Sequence, residues 1–122
     1  MPDLARVLPW LVLAFALAAM ALGLYEWSNP PFSDQQLRTS LTDTWEVATS
    51  TTRVFIVVFL GLGSISGVLA RKATRAPARI AAVLAAVACL LTLAIFLHNH
   101  IALTQRAAAL TGQEFDATYG LF

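Results

Sequence analysis

Three stretches of this chain contain no Asp, Glu, Lys or Arg: Val7 to Tyr25, Val54 to Ala70 and Ile80 to Gln105. Each reaches the roughly 17 to 25 residues with which a helix crosses about 30 Å of hydrocarbon. Within lipid a backbone must satisfy its own polar groups, so a long unbroken apolar run can cross only as a helix. Composition agrees, with hydrophobic residues at 58% and charged residues at 12%, against roughly 25% charged in soluble domains. The expected fold is an all-α integral membrane protein of one domain, with three transmembrane helices at about residues 7–27, 53–70 and 78–110. The first run could instead be read as a signal peptide, since Arg6 precedes it and Ala19, Met20 and Ala21 resemble a cleavage site. It is longer than a usual signal-peptide core, which favours retention as a membrane helix.

Charge sets the expected topology. The connection over residues 71–77 and the start of the third helix carry Arg71, Lys72, Arg75 and Arg79 with no acid, whereas the segment from Glu26 to Thr52 carries Glu26, Asp34, Asp43 and Glu46 against Arg38. Basic residues in short loops stay cytoplasmic. The N-terminus is therefore expected inside and the C-terminus outside, with Arg53 and Arg106 reaching into the outer head groups. Trp10 stands about 23 to 26 Å from Tyr25 and Trp27 along a helix, a spacing that suits two interfacial belts. An α-helical protein of this kind suits a bacterial inner membrane, with a cytoplasmic N-terminus and a periplasmic or extracellular C-terminus.

Between the first two spans, Asn29, Pro30 and Pro31 break the helix, because proline lacks the amide donor and disfavours helical geometry before it. Ser33 and Gln36 then form a capping box, and Phe32 and Leu37 the two halves of a hydrophobic staple. Leu37, Leu41, Trp45 and Ala48 recur at helical spacing, which predicts an extracytoplasmic amphipathic helix over about residues 33–48. Its polar face is acidic, unlike the basic face of lipid-binding interfacial helices, so the stripe is expected to meet a protein partner, the alternative being a helix that simply lies in the membrane interface. Because the stripe continues through Thr52, Phe55 and Phe59, this helix is expected to run into the second span. A second docking stripe is expected in the tail over residues 111–122, where Phe115, Tyr119 and Phe122 recur at spacings of four and three.

Packing residues are small. Gly63 and Gly67 form a G-x-x-x-G pair on one face of the second helix, and close backbone approach drives association in lipid. Ala78, Ala82 and Ala86 on one face of the third helix, with Ala81, Ala85 and Cys89 on the next, are the expected counterpart. Ala14, Ala18 and Ala21 add a small-residue face to the first. Pro77 suits a first helical turn and Gly112 a C-terminal cap, so the third helix spans about 50 Å and its last third projects beyond the bilayer. Cys89, the one cysteine, reads as a packing residue.

His98 and His100 read first as polar residues that mark where the third helix leaves the membrane, and in the alternative as candidate ligands for a haem, quinone or metal. Residues two apart on a helix point about 200° from each other, so the pair cannot clasp one ion while the helix persists. His98 lies about 28 Å beyond Arg79, at the far interface rather than in mid-membrane. His98 with Met20 is a second conceivable haem pair, although no spacing demands it. All seven acids lie outside the apolar cores, where transporters keep theirs. No nucleophile with an adjacent base, phosphate loop or zinc spacing is present.

These observations predict a non-catalytic accessory subunit of a larger integral membrane complex, which binds lipid and other membrane subunits and has no enzyme activity, nucleic-acid partner or metal. No cofactor is expected within this chain. The rival expectation is a cytochrome b-like or quinone-site anchor of an oxidoreductase, using His98 or His100 with a haem, quinone or lipid shared with a partner subunit. A homo-oligomer lining a pore is the third.

Overall fold

A computed structural model describes residues 2–30 and 32–112, with side chains from Arg6 onward. Phe115, Tyr119 and Phe122 lie outside the described residues. Four helices follow in order: α1 (Pro2–Ser28), α2 (Asp34–Thr39), α3 (Leu41–Lys72) and α4 (Ala76–Thr111). Three are long and apolar enough to cross a membrane, over Arg6–Ser28, Leu41–Lys72 and Ala76–Thr111. The protein is accordingly membrane-embedded.

Local chemistry explains the ends. At the close of α1, the Asn29 amide N–H donates to the Tyr25 carbonyl at 2.8 Å and its side-chain Nδ2 donates to the same oxygen at 3.2 Å, ahead of the proline break. Ser33 and Gln36 make the capping box: Ser33 Oγ accepts from Gln36 N at 3.2 Å, and Gln36 Oε1 accepts from Ser33 N at 2.9 Å. Pro77 stands in the first turn of α4, and Gly112 closes it at φ 73°, a left-handed geometry that favours glycine. Arg71 and Lys72 occupy the last turn of α3, where cations complement the exposed carbonyl end of the helix.

The segment expected as one amphipathic helix divides at Ser40, whose φ of −130° and ψ of 44° leave the helical region. Its amide still donates to Gln36 O and its carbonyl still accepts from Thr44 N, each at 2.9 Å, so Ser40 closes α2 and opens α3 at once. Thr39 and Ser40 sit at the bend. Such hydroxyl residues compete with helix through their own backbone bonds, and Thr39 Oγ1 donates to Gln35 O at 2.8 Å. Beyond the bend the stripe continues unbroken into the span, as its register suggests.

Helix α4 is the centre of the bundle. Within the apolar spans, 44% of α4 is buried against 22% of α1 and 17% of α3, and α1 and α3 each pack more extensively on α4 than on each other. The face of α4 turned inward is built of Ala81, Ala82, Ala85, Ala88, Cys89 and Thr92, small side chains that admit close neighbours. Against them pack Val12 and Ala16 of α1 and Ile56 and Phe59 of α3. Rings extend this core: Phe15 and Phe55 both stack on Phe59, and Phe55 stacks on Phe96 with centroids 4.3 Å apart. Lipid tails are as apolar as these side chains, so the bundle is held by packing and by hydrogen bonds rather than by escape from water. One such bond is Thr92 Oγ1 to the Ala16 carbonyl at 3.2 Å, shared with its own helix at Ala88 O, 2.7 Å.

Candidate functional site

At the α2 end of the bundle, α1, α3 and α4 leave a cleft of about 490 Å³ between them. Helix α1 contributes Leu22, Glu26 and Trp27, and the linker Pro30 and Phe32. Helix α3 contributes Ala48, Thr51, Thr52 and Phe55, and α4 contributes Phe96, His98, Asn99, His100, Ala102, Leu103 and Arg106. A more open hollow of about 590 Å³ lies beside the α2–α3 bend, lined by residues 38–43 with Leu110 and Thr111. It holds neither histidine.

Both histidines reach the cleft because they point apart. The roughly 200° between them places one on each flank of α4. His98, exposed, lies flat against Trp27 of α1, with ring centroids 3.6 Å apart and planes 19° apart. His100, 3% exposed, faces α3: its Nδ1 is 3.4 Å from Thr52 Oγ1, and Trp45 lies tilted against it at 5.3 Å. A shared ion is geometrically excluded here, since α4 stays helical throughout. Met20 packs against the core instead of lining the cleft, so it does not meet His98 there. Among the described residues, no group of three His, Cys, Asp or Glu is placed to hold a metal.

Two further contacts shape the walls. Asn99 Nδ2 donates to the Gly23 carbonyl at 2.9 Å. At Gly23 any side chain is unwelcome, because a Cβ would stand 2.7 Å from Ile95 Cγ2. At the mouth, Arg106 Nη2 donates to the Phe32 carbonyl and Nε lies 3.3 Å from Asp34 Oδ1. This clamp ties the linker and α2 to α4.

The expected docking stripe turns largely inward. Leu37 is 1% exposed and Ala48 7%, while Leu41 and Trp45 are half-buried, so much of the surface assigned to a partner is covered by the chain's own α4. Of the expected packing residues, Gly63 faces Cys89, whose Cβ would be 3.4 Å from a Cβ placed there, but Gly67 has nothing within 4 Å. Ala82 is fully buried, whereas Ala78 and Ala86 are half-buried. The neighbouring face, with Ala81, Ala85 and Cys89 all at 0%, carries the closer contact.

Sequence reading did not single out Glu26, Thr51, Asn99, Gly23 or Phe96 as site residues. Asn99, a polar residue toward the end of an apolar run, was the one available signal, since Glu26 and Thr51 lie just outside such runs and Gly23 and Phe96 are not polar. Compared with family models, with curated proteins and with solved structures, the chain matches none.

Proposed function

We propose that this chain is a non-catalytic small subunit of a larger integral membrane assembly, set in a bacterial inner membrane with its N-terminus cytoplasmic and its C-terminus periplasmic. The reading is supported above all by one face of α3. A Cβ placed at Gly61 or at Gly67 meets nothing within 4 Å, and Ser64 between them is exposed. These three residues fall within an arc of about 120°.

A glycine in a helix costs about 1 kcal/mol relative to alanine. A lipid-facing position gains nothing from that cost, whereas a second helix that packs on bare backbone does. Exposed Ala14, Ala18 and Ala21 offer a comparable face on α1. The α4 face, by contrast, is already covered within the chain. Partners are therefore other membrane subunits seated on α1 and α3. Purification in a mild detergent tests this: other polypeptides should accompany the chain at fixed stoichiometry, and a stable, active monomer without them contradicts it.

The second reading is an anchor subunit of an oxidoreductase that contributes a histidine to a group shared with a neighbour. It is supported by the exposure of His98 at the cleft, and it narrows the choice to that residue, because His100 is buried. A visible absorption spectrum of the intact assembly that is unchanged by His98→Ala removes it.

A further inference from the structure

The cleft beside His98 is built by this chain alone, and its walls describe a ligand. We propose that it binds the ring of a quinone, a neutral planar ring with carbonyl acceptors and an apolar tail. This rests on the second reading above in its choice of His98 and narrows its ligand to one class, but unlike that reading it places the site within this chain.

Four observations converge. The volume, about 490 Å³, lies within the roughly 300 to 1,000 Å³ of small-molecule sites. One wall is aromatic: half-buried Phe55, its ring stacked on buried Phe96 and on Phe59, lines the cleft, and an aromatic edge is a favourable neighbour for a planar ring.

Hydrogen-bonding side chains reach the cleft from two different helices, as suits a ring with a carbonyl at each end. His98, on the α1 side, is held by stacking on Trp27, and among the described residues its ring makes no hydrogen bond that would occupy its nitrogens. Thr51, on the α3 side, is an exposed residue that lines the cleft. Neighbouring Thr52 is engaged with buried His100, so His100 acts as a positioning residue for that rim.

Charge selects against an anionic head group. Arg106, the one Lys or Arg among the described residues lining the cleft, is paired with Asp34 and with the Phe32 carbonyl. Glu26 on the α1 wall would repel a phosphate. A neutral acceptor fits this pattern and a phospholipid head group does not.

The test uses the full chain in phosphatidylcholine nanodiscs, titrated with a short-chain benzoquinone while tryptophan fluorescence is read in a Trp10→Phe background, which leaves the tryptophans of the cleft end. The expected result is saturable quenching above a linear partition component. His98→Ala and Thr51→Val should each weaken binding about tenfold, the value of one hydrogen bond to a buried acceptor. His98→Gln, which keeps a donor, should restore most of it.

Ala102→Phe fills the cleft from an exposed position and leaves every polar group in place, so it should abolish saturable quenching with the helical circular dichroism unchanged. Quenching that never saturates, or equal affinity in Ala102→Phe, overturns the proposal. If phosphatidylglycerol in the disc displaces the quinone and Arg106→Gln relieves that competition, the site belongs to an anionic lipid and the proposal also fails. Because no partner is present, loss of the oxidoreductase reading would leave this binding intact.

Discussion

His98 lies flat on Trp27, 3.6 Å between ring centroids, and thereby joins the last turn of α1 to α4 at the rim of the cleft. Stacked aromatic pairs contribute about 0.5 to 1.5 kcal/mol beyond the area they cover. The pair thus serves both as a structural tie and as the mount for an exposed imidazole.

A double-mutant cycle should recover that energy. Trp27→Ala and His98→Ala, separately and together, are expected to show a coupling of about 0.5 to 1.5 kcal/mol in reversible detergent unfolding. Strictly additive effects would mean that the rings do not depend on each other.

Two glycines should behave in opposite ways. Gly23→Ala puts a Cβ 2.7 Å from Ile95 Cγ2 and so presses on α4, the helix that carries Asn99, the donor to the Gly23 carbonyl, so a loss of about 1 to 3 kcal/mol is expected from overpacking. Gly67→Ala meets open space within the chain and should stabilise the isolated protein by up to about 1 kcal/mol through helix propensity. Thermal melting followed by circular dichroism distinguishes them.

Thr92→Val keeps the shape of a residue that is 0% exposed and removes the hydroxyl shared between Ala16 and Ala88. Interhelical hydrogen bonds in membrane bundles average about 0.6 kcal/mol, so the loss should be of that size, smaller than that of Gly23→Ala. An effect of several kcal/mol would assign Thr92 a larger role than one shared bond.

Cys89 of α4 is buried where that helix faces Gly63 of α3. Its thiol should resist a maleimide in the folded protein and react fully after unfolding in sodium dodecyl sulfate, since modification requires access. Gly63→Leu, which drives a side chain at Cys89, should increase the folded-state labelling rate. Rapid labelling of the unmodified fold would show that α3 and α4 are not packed along this face.

What could be read from the residues alone divides along a physical line. The spans, the Ser33–Gln36 box, the first-turn Pro77 and the Gly112 cap are local: each follows from a few neighbouring side chains and the geometry of one helix. The neighbour of a face is not local. Leu37, Leu41 and Trp45 declare an apolar stripe, but periodicity cannot say whether the surface opposite is another protein or the far third of α4, and the structure sets it largely against α4.

Gly63 and Gly67 show the same limit at closer range. They lie only about 40° apart around α3, yet one contacts Cys89 and the other stands open. The cleft was least legible of all. Glu26, Thr51, Phe96 and Asn99 come from three helices and share no spacing, and only the separation of α1 from α3 around α4 brings them to one cavity.

The most direct test of the subunit reading places a photo-crosslinking amino acid at position 61 or 67, with position 63 as the internal control, and irradiates native membranes. Positions 61 and 67 should give adducts with a distinct polypeptide, while position 63 should crosslink only within the 13.1 kDa chain. If positions 61 and 67 yield nothing but lipid adducts, the open face of α3 is a lipid surface and the proposed role is wrong.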